Sequence, residues 1–300
     1  MKRCTSLGIT AAALMCVTVS AAAQIPAAER ALKIQEESAK PTPRLPDGHP
    51  DLTGYWADPI AVAARKLSFS ADGKTAIYPA GDAPELDGRA QPNFKIRAAD
   101  RSRRPPYRPE FVAKQKELMY TASNTDKGLQ CYPFGVPRIG APTEIVSTPT
   151  TQYFMYSDEA EEDPVHTFRV IPIGGKHDPN RDPTPDGDSI AFWQGDTLVV
   201  DVVKLDEETW LDGDGDFHDE NLHVVERFTR KGNTLDYEVI IEDPTLWPGQ
   251  WKPVFGFAGS ALFGHTGART RILRPAGEHA PPDYPCVERD AEHKVNNDRP

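Results

Sequence analysis

The chain has 300 residues and a formal net charge of −11, so a nucleic-acid-binding surface, which requires clustered positive charge, is not expected. The same negative charge argues against binding to an anionic membrane surface. The 29 prolines, the 22 glycines and the scarcity of long helical patterns favour a β-rich domain with long ordered connections.

The N-terminus has the pattern of a secretory signal peptide over residues 1–23. Lys2 and Arg3 supply a positive start, residues 7–19 are mostly apolar, and Ala21, Ala22 and Ala23 form a small-residue cleavage site. The apolar run is too short to span a bilayer, and no later segment is longer, so stable membrane insertion is not expected. The mature protein is therefore predicted to be periplasmic or secreted.

Two cysteines, Cys131 and Cys286, remain in the mature chain. An even pair of cysteines in an oxidising compartment predicts a disulfide bond. This bond would connect the C-terminal tail to the middle of the chain. Two separate buried thiols are the alternative.

The predicted elements begin with an N-terminal extension over residues 24–45. Its run AAERALKIQEESA is helical in pattern, and Pro41 and Pro43 turn it into an extended linker. Residues 46–300 then form a single predicted β-rich domain. A turn signal at 71–74 indicates a small hairpin, and residues 109–119 indicate a short helix that begins near Pro109.

The strand signals follow this helix. Strand-forming residues dominate 144–156 and 166–173. Two hairpins are predicted, one joining 190–193 to 197–203 and one joining 222–230 to 234–242, and a further strand is expected within 251–263. No helices separate these strands, so the sequence predicts a mainly β fold, an antiparallel meander that closes into a lipocalin-like barrel or a strongly curved sheet.

Several motifs carry a family resemblance. The segments PDGHPDLTGYW, CYPFGVPR, WQGDTLVVD, TWLDGDGDFHDENLHVVERF and DYPCVER occur in this order. They resemble the CxPxGxPR, WEGDTLVVDT and TWLDxxGxPHSxxLHVxERF motifs of a large family of exported, mostly uncharacterised bacterial proteins. The resemblance implies no particular reaction. Gln194 replaces a usual Glu of that family, and Asp219 replaces a usual Ser.

The acidic loop raises the question of a metal. Asp212, Asp214 and Asp216 have the spacing of calcium ligands, but an EF-hand loop starting at Asp212 needs Gly at its sixth position and Glu at its twelfth, where this chain has Phe and His. His218 and His223 suggest zinc, yet they lack the spacing of known zinc motifs. No cofactor is therefore expected, and the loop is interpreted as a solvated acidic turn. A looser calcium or zinc site is the alternative.

The segment 222–228 contains a carboxylate on an apolar face. Side chains alternate between the two faces of a strand, which places Glu226 with Leu222, Val224 and Phe228, and places His223 on the opposite face. A buried carboxylate needs a partner or a proton. Glu226 is therefore interpreted either as half of a structural Glu–Arg pair or as a general acid or base lining a pocket.

The functional hypothesis follows from these residues. No GxSxG, P-loop, GxGxxG or HExxH motif occurs. The first hypothesis is an exported, cofactor-independent enzyme that performs acid–base chemistry, as an isomerase, lyase or hydrolase, on a small apolar or aromatic molecule. The alternatives are a lipocalin-like carrier of such a ligand without catalysis and a calcium-stabilised structural protein of the envelope. The candidate catalytic residues are His218, His223 and Glu226, with Asp212 or Asp219 to orient a histidine and Arg138 or Arg169 to stabilise negative charge.

Overall fold

The computed structural model describes residues 25–57, 68–69, 76–77, 104–130, 132–156, 167–253 and 267–274. The predicted signal peptide and the predicted disulfide between Cys131 and Cys286 lie outside the described residues. No helix in these ranges is long and apolar enough to cross a membrane.

The secondary structure consists of two α-helices, one short 3-10 helix and twelve strands over the described ranges. Helix α1 spans Ile25–Ser38, helix α2 spans Pro109–Thr125, and the 3-10 helix spans Lys127–Gln130. The strands are β1 (Gly54–Ala57), β2 (Ser68–Phe69), β3 (Ala76–Ile77), β4 (Glu144–Ser147), β5 (Thr151–Tyr156), β6 (Thr167–Pro172), β7 (Asp188–Gln194), β8 (Thr197–Val203), β9 (His223–Lys231), β10 (Thr234–Glu242), β11 (Gln250–Trp251) and β12 (Arg269–Arg274).

One large antiparallel sheet contains 10 of these strands, in the order β6-β5-β4-β1-β12-β10-β9-β8-β7, with β11 beside β10. The two ends of this sheet meet, because Ile173 after β6 forms a parallel bridge with Ala191 in β7, and Gly174 N donates to Ala191 O at 2.7 Å. The sheet is therefore a nearly closed barrel, and the predicted mainly β, barrel-like fold is confirmed.

Tight turns set the register of the two predicted hairpins, which are both present. Gln194 pairs with Thr197 around a turn in which Gly195 has φ +60°. Lys231 pairs with Thr234 around a turn in which Gly232 has φ +56°. Positive φ suits glycine, and such two-residue turns match the twist of the flanking strands. The hairpin flanking residues 71–74 is also present, as β2 paired with β3.

Three element boundaries differ from the sequence prediction. Helix α2 continues to Thr125, beyond the predicted end at 119. The strand expected within 251–263 is described only as β11, and β12 was not predicted. The sequence of β12 is RTRILR, and Arg269 and Arg271 are buried in it although arginine ordinarily indicates an exposed position.

The barrel interior is apolar and aromatic around the centre of β9 and β10. Phe228 lies 4.9 Å from Phe154 and 5.1 Å from Tyr237 between ring centroids. Val200 of β8 and Val224 of β9 are also fully buried. Aromatic pairs at these separations add to the stabilisation from burial itself. The alternation of side chains along β9 directs Glu226 into this interior.

The N-terminal extension is fastened to the turn of the second hairpin. Asn233 N donates to Glu37 O at 2.9 Å, and Asn233 Nδ2 donates to Glu37 Oε2 at 3.0 Å. Gly232 N donates to Thr42 Oγ1 at 2.7 Å. Leu32 of helix α1 is 62% exposed, but the end of the helix and the following linker are held by the β9–β10 turn.

Candidate functional site

Three groups of polar side chains occupy separate parts of the barrel. The interior cluster comprises Glu226, Arg169, Tyr156, Tyr237 and Ser189. The outer cluster lies on the opposite face of the same strands and comprises Asp188, His177, Asp201, His223 and Glu242. The aspartate loop comprises residues 209–219, between β8 and β9.

The interior cluster is centred on a buried ion pair. Arg169 Nη1 donates to Glu226 Oε2 at 2.7 Å, and the two side chains are 3% and 1% exposed. Tyr237 donates its hydroxyl proton to Glu226 Oε1 at 3.1 Å. Arg169 also donates to the Tyr156 hydroxyl at 3.0 Å and to Ser189 Oγ at 2.8 Å. The inward orientation predicted for Glu226 is observed, and Arg169 is its partner.

Burial controls the protonation of the phenols in this cluster. It raises the pKa of Tyr156, although the nearby Arg169 opposes this effect. It also raises the pKa of Tyr237, and the negative charge of Glu226 adds to the effect. Both hydroxyls therefore stay protonated at neutral pH, and Tyr237 acts as a hydrogen-bond donor to the Glu226 carboxylate.

Arg138 lies in a different environment from the interior cluster. Its Nη1 and Nη2 donate to Asp126 Oδ1 and Oδ2, both at 2.8 Å, and its guanidinium carbon lies 4.1 Å from the Phe134 ring centroid. The Arg138 side chain is 1% exposed and that of Asp126 is 2% exposed. Asp126 ends helix α2, so this two-bond pair ties the helix to the segment that precedes β4.

The outer cluster begins with a histidine from the connection between β6 and β7. His177 Nδ1 lies 3.1 Å from Asp188 Oδ2, and His177 Nε2 lies 3.2 Å from Asp201 Oδ1. Asp188 is the first residue of β7, and it also accepts from Asp178 N at 2.9 Å and from Arg181 Nη1 at 3.1 Å. These bonds hold the connection against the outer face of the barrel.

A second histidine shares the same carboxylate oxygen. His223 Nε2 lies 3.0 Å from Asp201 Oδ1, and His223 Nδ1 lies 3.4 Å from Glu242 Oε2. The outward orientation predicted for His223 is observed, because the β9–β10 register runs without interruption from Lys231↔Thr234 to Glu242↔His223. His223 and Glu226 are consequently on opposite faces of β9.

Each imidazole of the outer cluster lies between two carboxylates. Each of the four ring nitrogens has a carboxylate oxygen within 3.4 Å. The two side chains are 25% and 34% exposed, and Asp201 is 29% exposed. The cluster is therefore partly open to solvent on this face.

The aspartate loop is buried and organised around Arg104. Arg104 Nη1 donates to Asp216 Oδ2 at 3.1 Å, and its Nη2 lies 3.5 Å from Asp214 Oδ2. Asp212 Oδ1 accepts from Asp214 N at 2.8 Å. The interpretation of these residues as a solvated turn was wrong, because Asp216 is fully buried.

Protonation of the aspartate loop follows from that burial. Desolvation raises the pKa of Asp216 well above its usual range, the negative charge of Asp212 raises it further, and Arg104 opposes the increase. Desolvation also raises the pKa of Asp212. Asp216 N donates to Asp212 Oδ1 at 3.4 Å, which places the two residues side by side in the loop.

His218 is enclosed in the same loop. Its Nε2 lies 2.9 Å from Thr209 Oγ1, and its Nδ1 lies 3.0 Å from Asp219 O. The carbonyl accepts the Nδ1 proton, so the neutral ring carries its lone pair on Nε2. The Thr209 hydroxyl beside Nε2 has a single proton, and it donates to Asp206 O at 2.7 Å. Burial lowers the pKa of His218 and favours this neutral form. The backbone of Asp219 thus orients His218, while the Asp219 carboxylate accepts from Asn221 N at 2.8 Å.

No group of three or more His, Cys, Asp or Glu side chains has the geometry to hold a metal ion within the described ranges. The sequence suggested Asp212, Asp214 and Asp216 as calcium ligands. In the structure, carboxylate oxygens of these three residues contact Arg104 or backbone amides instead. The two imidazoles suggested for zinc, His218 and His223, have separate sets of partners.

Sequence reasoning missed His177, Asp188, Asp201 and Glu242 as members of a cluster. The position of Glu242 beside His223 could have been predicted from the sequence, because a two-residue turn after Lys231 fixes the pairing of these residues when both strands are counted back from the turn. The position of His177 could not have been predicted, because this residue comes from an irregular connection whose path over the barrel has no periodic signal.

Comparison with family models, curated proteins and solved structures found no match to this chain. The family resemblance of the sequence motifs therefore stays a prediction. The function has to be argued from the geometry of the described residues.

Proposed function

We propose that this protein is an exported enzyme that performs acid–base chemistry on a small, largely apolar molecule at the outer cluster. The observation that carries the proposal is the convergence of two imidazole nitrogens, His177 Nε2 and His223 Nε2, on one carboxylate oxygen, Asp201 Oδ1, at 3.2 and 3.0 Å. Membership of the exported bacterial family suggested by the sequence motifs is part of the same proposal.

The arrangement supports proton transfer in two ways. A histidine that is held by a carboxylate is oriented and ready to give or take a proton near neutral pH. Here Asp201 joins two such histidines. When one imidazole gives a proton to a substrate, the other imidazole can take up a proton, so that the total charge of the pair is kept. Arg181 and the three carboxylates keep the total charge of the cluster close to zero when both imidazoles are protonated.

The surroundings of Asp201 support an apolar substrate. In the sheet register, Ile190 of β7 and Val225 of β9 lie directly on either side of Asp201. Phe192, two residues beyond Ile190 on the same face, is 38% exposed. These side chains offer an apolar surface beside the imidazoles, and the chemistry implies an isomerase, lyase or hydrolase that needs no cofactor of its own.

The test has two readouts. Solvent deuterium incorporated at carbon reports the proton transfer of an isomerase or lyase, and product formation also reports a hydrolase. The mature protein is incubated in deuterated buffer with a panel of small apolar ketones, esters and lactones, and deuterium incorporation and product formation are followed by mass spectrometry. We expect the variants D201N and H223Q to lower the rate by about 10²-fold or more.

The matched control is H49Q. His49 also forms a contact with a carboxylate, His49 Nδ1 to Asp47 Oδ2 at 3.2 Å, and is 37% exposed, but it lies outside the outer cluster. We expect it to leave the rate unchanged. Equal rates in the wild type, D201N and H223Q would contradict the proposal, as would a loss of rate in H49Q that matches the loss in D201N.

A second candidate function, carriage of a small ligand inside the barrel, is favoured by a different observation. The Arg169–Glu226 pair at 2.7 Å is embedded among buried aromatic and aliphatic side chains on the interior face. A paired charge beside apolar side chains is typical of sites that orient one polar end of a mostly apolar molecule.

A further inference from the structure

The interior face next to the barrel closure contains buried polar atoms without protein partners. Arg169 Nε lacks an acceptor, although Arg169 is only 4% exposed. Gln152 is fully buried, and its Nε2 lacks an acceptor while its Oε1 accepts from Ser147 Oγ at 2.6 Å. Whichever way the amide is assigned, one of its two polar atoms has no protein partner, because Ser147 satisfies only one of them.

Two of these atoms belong to neighbouring residues of the β5–β6 pair. Arg169 lies opposite Phe154 in the β5–β6 pair, and Gln152 lies opposite Ile171, so the two polar residues are diagonal neighbours on the interior face. Asp186 lies at the other end of this strand pair, since its Oδ2 accepts from Thr167 Oγ1 at 3.2 Å at the start of β6. Asp186 Oδ1 is a buried acceptor without a donor. Such atoms are usually bonded to water or to a ligand.

Arg169 lies at the boundary between β6 and β7, where the barrel closes. Strand β6 pairs with β5 along its length, but within the described ranges its backbone meets β7 through the bridge after its end, between Ile173 and Ala191. Between Thr167 and Pro172 the contact across this boundary is made by a side chain, because Arg169 donates to Ser189 Oγ. A boundary closed by a side chain can open by a rotamer change, whereas a paired backbone cannot.

The charges nearby restrict the ligand. The positive charge of Arg169 is already balanced by Glu226, and Asp186 is a second carboxylate close to it. An anionic ligand would add a further negative charge to a buried site, which is costly without a free cation. A cationic ligand would face the guanidinium. The unpartnered N–H groups of Gln152 and Arg169 call for an acceptor, and an uncharged carbonyl group supplies one.

We propose that the barrel interior beside the β6–β7 boundary binds an uncharged, mostly apolar molecule by its carbonyl oxygen, which accepts hydrogen bonds from Gln152 Nε2 and Arg169 Nε. The aromatic side chains Phe154 and Phe228 line the apolar part of the site. This inference rests on the second candidate function, ligand carriage inside the barrel, and specifies the chemistry of the ligand. It is independent of catalysis at the outer cluster, which lies on the other face of the sheet.

The test measures the displacement of the neutral fluorescent probe N-phenyl-1-naphthylamine from the mature protein. The competitors share a ten-carbon chain and differ in the end group: 2-decanone, decanoate and decylammonium. We expect 2-decanone to displace the probe at a concentration at least about tenfold lower than either charged competitor. In the variant Q152L, which removes one donor, 2-decanone should bind about 5-fold more weakly.

The matched control is Q194L, the same substitution at an exposed glutamine on the outer face, whose Oε1 accepts from Arg227 Nη1 at 2.9 Å. We expect it to leave the affinity for 2-decanone unchanged. Circular dichroism and thermal melting confirm that both variants are folded.

The outcomes separate the two levels of the proposal. Preferential binding of decanoate or decylammonium, or an unchanged affinity in Q152L, would overturn the carbonyl assignment and leave ligand carriage standing. Failure of the folded protein to bind the probe or any of the three competitors would overturn both, and would mean that water alone satisfies the interior atoms. Displacement that is equally weak in Q152L and Q194L would place the binding outside the barrel interior and overturn the site.

Discussion

Replacement of Glu226 by glutamine should destabilise the protein more than any substitution of an exposed carboxylate. Glutamine has nearly the same shape and can still accept from the Tyr237 hydroxyl, so the change removes one negative charge and creates no cavity. Arg169, whose side chain is 3% exposed, would then keep its positive charge without its partner at 2.7 Å. Bulk solvent has little access to the guanidinium and compensates little of this charge.

The magnitude follows from this burial. Breaking a buried ion pair from one side ordinarily costs about 3–5 kcal/mol of unfolding free energy, because the remaining charge is left in a medium of low polarity. With a denaturant slope of about 3 kcal/mol per molar urea, the urea midpoint of E226Q should fall by about 1–1.7 M. The double variant E226Q/R169M removes both charges and should recover most of this loss.

The assay is urea unfolding of the mature protein, followed by tryptophan fluorescence and circular dichroism. The control is D196N, which breaks a contact of the same length, 2.7 Å to Arg44, between side chains that are 55% and 46% exposed. Solvent screens that pair, and we expect no measurable change. The reasoning is refuted if E226Q unfolds at the same urea concentration as D196N, or if the double variant is less stable than E226Q alone.

Three further predictions concern other parts of the molecule. Burial lowers the pKa of His218 from its usual 6.5. The contribution of neutral His218 to stability is therefore present above about pH 6.5 and is lost as the pH falls through the lowered pKa. The variant H218Q should flatten the fall in melting temperature that occurs below about pH 6.5. In the variant G232A, the new Cβ would lie 2.5 Å from a backbone oxygen of the N-terminal extension, whereas in G195A it would meet no atom within 4 Å. G195A should lower the unfolding free energy by about 1 kcal/mol, and G232A should lower it by more. G232A should also speed proteolysis of the extension. Alkylation of the unfolded, non-reduced mature protein should modify neither Cys131 nor Cys286 if the predicted disulfide is present, and mass spectrometry would detect any added label.

The local features of the fold could be predicted from the sequence, because they depend on residues close together in the chain. Turn residues at Gly195 and Gly232 fixed the two hairpins, and alternation along residues 222–228 placed Glu226 inside and His223 outside. These patterns repeat every two residues and do not depend on the rest of the molecule.

Strand β12 escaped this reasoning for a physical reason. Its alternating arginines look solvent-exposed in sequence, yet the chain buries Arg269 and Arg271 inside the barrel. Only the neighbouring strands β1 and β10 provide the pairing that makes this segment a strand. Tertiary context therefore overrode the composition signal.

The sequence by itself determined a meander of hairpins with one carboxylate directed into its interior. The tertiary structure decided which arginine meets that carboxylate, because Arg169 and Arg138 are equally plausible partners in sequence and only barrel closure brings β6 to β9. It also decided that His177 joins His223 at Asp201, since the connection carrying His177 folds over strands that are distant from it in sequence. Periodicity specifies the face on which a side chain lies, whereas contacts between distant segments depend on the packing of the whole chain.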